Sequence, residues 1–103
     1  MRKISREMVT ALRNGNSMCK SNTQVTSNGA VSLFGVHIAT LRIDGLSITD
    51  CGGWRTSTTT ERLNALLRAF ASDMVHVFMR KGEFYYSING EVEKFAPRTF
   101  DLK

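Results

Sequence analysis

Few residues in this chain could carry chemistry, and they are scattered. Cys51-Gly52-Gly53-Trp54 superficially resembles the surroundings of a cysteine nucleophile, a thiol followed by a glycine turn and an aromatic ring. A nucleophilic thiolate needs a nearby base and oxyanion donors, usually with a helix N-terminus aimed at the sulfur. His37 and His76 are the two available bases, no orienting carboxylate can be assigned to either, and the next helix starts beyond Trp54. The glycines therefore read as a turn, Trp54 as a plug at the core edge and Cys51 as a structural thiol.

The other chemistries fare no better. Two histidines without clustered cysteines or acids make a poor metal set, because a structural zinc takes four ligands. Cys19 and Cys51 form neither a disulfide framework nor a metal spacing. Asp44, Asp50 and Asp73 fall in turns or at strand ends, where Asp serves local hydrogen bonds. Neither phosphate-cradling glycine pattern, G-x-x-x-x-G-K nor G-x-G-x-x-G, occurs. The expectation is a protein that is not an enzyme, with no catalytic residues, no metal and no cofactor.

The element that must position everything else is the stretch Gly52 to Phe70. Thr58 and Glu61 have capping-box spacing, hydroxyl to the N3 amide and carboxylate back to the cap. From there Leu63, Leu66, Leu67 and Phe70 form one apolar stripe of helical period, with Glu61, Asn64, Ala65 and Arg68 opposite. The hydroxyls of Thr56 to Thr60, beside Arg55 and Arg62, could instead hold an anion at the helix start. Capping accounts for them more simply. Arg62 flanks the stripe, so its stem should be covered and its head pinned to a carbonyl or carboxylate.

Around that helix the pattern is short and turn-rich. Ser5 to Asn14 reads as a helix with Ser5 as N-cap and Gly15 past its end, presenting Ile4, Met8, Val9 and Leu12. The polar run Asn16 to Gly29 is a loop, or a loop with one edge strand near Thr23 to Thr26. Asp44-Gly45 reads as a two-residue hairpin turn, setting Ile43 opposite Leu46 and Leu41 opposite Ile48 on a buried face. A two-residue turn at Phe34-Gly35 would put Val36 and Ile38 on the wrong face, so a bulge or a longer loop is expected there. Lys81-Gly82 centres a second hairpin, with Met79, Val77 and Val75 facing Phe84, Tyr86 and Ile88. Its other face carries Arg80 with Glu83, Phe78 with Tyr85 and His76 with Ser87. After Asn89-Gly90 a short edge strand returns, and Phe95 to Lys103 should lie extended on the surface. The order predicts a single α+β domain over residues 1–103: a short N-terminal helix, an antiparallel sheet of β-hairpins, and one central amphipathic helix packed on the sheet.

Composition bounds the function. The 103 residues are 42% hydrophobic and 22% charged, which is ordinary for a globular domain. No apolar run approaches the roughly 18–20 residues of a membrane span, and no apolar segment behind the basic N-terminus suggests a secretory signal. Net charge is +5, and residues 1–20 supply most of it through Arg2, Lys3, Arg6, Arg13 and Lys20 against Glu7. That end reads as a solubilising segment, or as a patch for phosphates.

Two segments carry a family resemblance. The run Val31-Ser32-Leu33-Phe34-Gly35 through Ile38-Ala39, followed by Trp54, Thr56, Thr58, Thr59, Arg62, Leu63 and Asn64, resembles small phage-encoded proteins of unknown function that share G-W-x-T-x-T-T-x-x-R-L-N. Tyr86-Ser87-Ile88-Asn89-Gly90 resembles the later part of the same group. The doubled Gly52-Gly53 and Val36 depart from the pattern. The resemblance implies a phage origin, an accessory role and no catalytic residues.

Together these point to a non-enzymatic accessory protein of the host cytoplasm. It would bind and inhibit a host protein or a defence complex, in the anti-CRISPR manner. His76, Phe78, Arg80, Tyr85 and Arg55 would form the partner-binding set. The rival reading is a basic nucleic-acid module using Arg2, Lys3, Arg6 and Arg13 with the aromatic sheet face. Neither reading involves a membrane. If the sheet face is not a recognition surface, the N-terminal helix should cover it with Met8, Val9 and Leu12.

Overall fold

The first helix ends where its sequence says it should. α1 (Lys3–Asn14) stops at Gly15, which takes the left-handed conformation at φ 66°, while Asn16 N–H returns to the Ala11 carbonyl at 2.9 Å. The computed structural model describes residues 2–53 and 56–103. Trp54, expected to plug the core edge, and Arg55 of the recognition set lie outside the described residues. Met8, Val9 and Leu12 are buried as the spacing predicts, with Ile4 half-buried.

The start of α1 is a correction. The helix begins at Lys3 with Arg2 in the cap position and no side-chain cap. Ser5 lies inside the first turn, buried, donating to Glu61 at 3.4 Å and accepting from Arg62 at 3.3 Å. The contact between the two helices needs a small hydroxyl there, and that need outweighs the capping preference of serine.

Six strands form the larger sheet: β1 (Met18–Lys20), β2 (Thr23–Val25), β3 (Ala30–Leu33), β4 (Val36–Arg42), β5 (Gly45–Ile48) and β9 (Arg98–Phe100), in the order β1-β2-β3-β4-β5-β9. All the pairings are antiparallel. The polar run after α1 therefore supplies two strands, not one edge strand at most. One face carries Val25, Val31, Leu33, Ala39, Leu46 and Ile48, all buried. The other carries Gln24, Ser32, His37, Thr40 and Ser47, and stays wet.

Both halves of the difficulty at Phe34-Gly35 are resolved. The turn has two residues, at φ 52° and 78°, and closes Leu33 against Val36. The register then shifts, with Ser32 opposite His37 but Val31 opposite Ala39. Ile38 is the extra residue of a bulge, which returns Ala39 and Leu41 to the core face.

The Asp44-Gly45 register is overturned. The turn residues are Ile43 and Asp44, pairing Arg42 with Gly45, Leu41 with Leu46 and Ala39 with Ile48. Ile43, assigned to the core, is fully exposed. Gly45 does not take positive φ. It is glycine because β9 passes against it: a Cβ would stand 2.7 Å from the Phe100 carbonyl oxygen and 2.7 Å from Thr99 Cγ2.

The C-terminal segment is extended and mostly exposed, as the sequence predicts, but two of its rings anchor it to the core. β9 pairs with β5, and Phe100 is buried. Phe95 stands edge-on to Phe84 at 5.3 Å and tilted against Tyr86 at 5.0 Å. Tyr86 donates its hydroxyl proton to the Ala96 carbonyl at 2.9 Å. This segment ties the larger sheet to the smaller one, β6 (Val75–Arg80), β7 (Glu83–Ile88) and β8 (Glu91–Lys94), in that order.

The central helix α2 (Ser57–Leu66) continues through one π turn, Leu67–Ala71, closed by Ser72 N–H on the Leu67 carbonyl. Leu63, Leu66 and Leu67 are fully buried, Phe70 is half-buried, and Ala71 takes a buried place in the wider turn. The cap is Thr56, whose hydroxyl accepts from Thr59 N–H at 3.1 Å, so Thr58 and Glu61 form no capping box. Glu61 instead pairs with Arg62 and, at 3.0 Å, with Arg2. Arg62 is only 3% exposed; besides Glu61 it donates to Thr23 Oγ1 at 3.1 Å and to Ser5. The expected pinning of its head is thus present, and it joins α2, α1 and β2.

Candidate functional site

β6 and β7 pair in the register that the sequence predicts, from Val75 opposite Ile88 to Arg80 opposite Glu83. Val75, Val77, Phe84 and Tyr86 are buried on the core side. Since side chains alternate along a strand, His76, Phe78, Arg80 and Tyr85 share the other face. Two residues assigned to the core side fall short of it. Ile88 is half-buried, and Met79, next to the end of the outer strand, is exposed.

The outer face is a compact aromatic and basic group. Phe78 and Tyr85 stack with centroids 5.7 Å apart and planes 24° from parallel. The Arg80 guanidinium stands 5.4 Å from the Phe78 centroid, within cation–π range. His76 lies 6.0 Å from Phe78 on its other side. β8 extends the face with Lys94 opposite Tyr85 and Val92 opposite Ser87. Val92 is 54% exposed. Sequence reasoning missed Val92 and Lys94, although carrying the alternation across the Asn89-Gly90 turn would have found them.

What fixes this face is on its edge. Asn64 of α2 donates from Nδ2 to the Val77 carbonyl at 2.9 Å and accepts from Val77 N–H at 2.6 Å. A side-chain amide thus stands where a neighbouring strand would, closing the exposed edge of β6. α1 does not cover the face. It packs on β1, β2 and α2 instead, burying Met8, Val9 and Leu12 there. His76 and Arg80 are exposed, and Phe78 and Tyr85 are half-buried.

The basic residues of the rival set are engaged in different ways. Arg2 is paired with Glu61, and the Arg13 guanidinium lies 5.6 Å from the Phe70 ring centroid. Lys3 and Arg6 line a cleft beside β1. At the start of α2, the Thr56 and Thr59 hydroxyls bond each other at 3.0 Å, and Thr60 donates to the Thr56 carbonyl at 3.2 Å. These hydroxyls are committed to the first turn of the helix.

Cys51 is buried in a 3-10 turn (Cys51–Gly53), with its thiol toward the Thr49 carbonyl at 3.7 Å. His37 is exposed, its Nε2 2.7 Å from Thr40 Oγ1. Among the described residues no three His, Cys, Asp or Glu side chains come together to hold a metal, and no helix is long and apolar enough to cross a membrane.

Comparison with protein families places the chain. The Kyanoviridae Gp96 protein family matches residues 1–101, from α1 through β9. The chain belongs to the Kyanoviridae Gp96 family. It is therefore a small phage-encoded protein, and the aromatic face, the Asn64 clamp and the basic N-terminal helix of this Gp96-family member all lie within the matched region. No curated protein and no solved structure matches it.

Proposed function

We propose that this phage protein works by binding, without covalent chemistry, and that it docks on a host protein or defence complex in the host cytoplasm and inhibits it. The observation that carries the reading is the stacked Phe78–Tyr85 pair with Arg80 and His76 on an uncovered sheet face. Large aromatic rings beside arginine are the side chains that dominate recognition surfaces, and a wet sheet face has little other use for them. The face also mixes charges, with Glu83 opposite Arg80 and Lys94 opposite Tyr85, which suits a protein surface better than a phosphate backbone.

The test is the double substitution Phe78→Ala, Tyr85→Ala. Both side chains are half-buried, so the loss of stability should be about 1–3 kcal/mol, from the cross-strand pair and part of their burial. The double variant should keep its circular dichroism spectrum and lose the partner captured from host lysate by the parent protein. Capture should survive nuclease and moderate salt. Retained capture by the folded variant would remove the face from the function. Capture abolished by nuclease, with steep salt dependence, would transfer it to nucleic acid.

A further inference from the structure

The larger sheet ends at β1, and on that side the molecule has a second recessed surface. A cleft of about 700 Å³ runs between one side of α1 and residues 16–20. Lys3 and Arg6 stand on its helix wall and Lys20 on its strand wall, all exposed, with Ala11 buried and Met18 half-buried between them. Among the described residues the one acid in the lining is Glu7, held by Lys20 at 3.0 Å, and no aromatic ring lines the cleft.

We propose that this cleft takes an extended acidic segment of a partner protein, which adds to β1 as a further strand. A terminal strand presents a row of N–H and C=O groups outward, and an extended peptide satisfies them by continuing the ladder. β1 itself offers about 10 Å of edge at about 3.3 Å per residue, room for a short segment. Lys3 and Arg6 then meet its acidic side chains, and the apolar floor receives the side chains between them. A single-stranded nucleic acid fits less well, because it gains much of its affinity by stacking bases on rings. The surface is separate from the Phe78–Tyr85 face and does not depend on it.

Cys19 supplies the readout. It is an exposed thiol within the lining, whereas Cys51 is buried and serves as an internal reference. Alkylation of Cys19 by iodoacetamide, followed by mass spectrometry, is measured with a short capped peptide alternating Glu and Val. Strand addition should slow Cys19 about twofold or more at saturation, because the added strand pairs beside its backbone and crowds the thiol on the face it shares with Gln24. The same peptide with Lys in place of Glu, the peptide N-methylated on its backbone, and oligothymidylate should each leave the rate unchanged. The double substitution Lys3→Glu, Arg6→Glu, at exposed positions, should abolish protection with the denaturation midpoint retained. Equal protection by the N-methylated peptide would mean contact by charge alone and overturn strand addition. Protection by oligothymidylate in place of the peptide would make the cleft a nucleic-acid site. An unchanged Cys19 rate with every probe would also overturn the proposal.

Discussion

The most informative single residue to perturb is Asn64, because one amide holds the sheet that carries the aromatic face. It makes two hydrogen bonds to the backbone of buried Val77, at 2.9 Å and 2.6 Å. Each such bond contributes about 1 kcal/mol net, which sets a loss of about 2 kcal/mol for Asn64→Ala. Stranding the Val77 N–H and C=O in a dry site would cost more, about 1–3 kcal/mol apiece. Hollows of about 210 and 290 Å³ border Asn64, so water can take the place of the amide. The expected cost is therefore about 2–3 kcal/mol. Asn64→Asp separates the two bonds. It keeps the acceptor for Val77 N–H but sets a carboxylate oxygen against the Val77 carbonyl, where only the protonated acid can donate. The folded state thus raises the pKa of the introduced carboxyl above its unfolded value of about 4. The variant should come closest to the parent protein below about pH 4 and fall behind as pH rises through the raised value. Urea denaturation followed by circular dichroism at pH 4 and pH 7 measures both effects. An Asn64→Ala midpoint equal to that of the parent, or an Asn64→Asp deficit that ignores pH, would refute the clamp.

Three further outcomes follow from the corrected elements. Thr56→Ala should cost about 0.5–2 kcal/mol as the loss of an N-cap, while Thr58→Ala should lie within about 0.5 kcal/mol of the parent; the reverse order in thermal melts would restore the Thr58 cap. Arg62→Met keeps the aliphatic stem but removes the buried head, and should cost about 3 kcal/mol, the low end for a broken buried pair because Glu61 retains Arg2. A loss below about 1 kcal/mol would show that the guanidinium does not join the two helices to β2. Gly45→Ala and Gly45→Asn should both release β9 and speed proteolysis of the C-terminal segment. If Asn alone is tolerated, Gly45 serves a positive-φ turn after all.

Local signals determined much of this fold. Gly15 ends α1 because the left-handed conformation is easy for glycine. The second hairpin follows its sequence register residue for residue, because Lys81-Gly82 is a two-residue turn with positive φ at both positions and so fixes which residues stand opposite one another. The alternation of side chains along a strand placed His76, Phe78, Arg80 and Tyr85 together, so most of the candidate face was legible in the sequence alone. The stripe of α2 was legible for the same reason, up to the π turn.

Only tertiary structure could decide the remainder, because there one residue answers to two neighbours. Gly45 looks like a turn residue, but close passage of β9 requires it, so the turn moves to Ile43-Asp44 and Ile43 leaves the core. Ser5 looks like a cap but is needed where α1 meets Glu61 and Arg62. The three residues of β9 are too short and too polar to announce a strand; pairing with β5 and the burial of Phe100 make them one. Asn64 reads as a polar residue on the outer side of a helix, and its role exists only because the edge of β6 runs beside it. Whether the aromatic face would be open was undecidable for the same reason. Period two says which side chains share a face, but which face α1 covers depends on the competition among all the apolar surfaces, and β1, β2 and α2 took the helix.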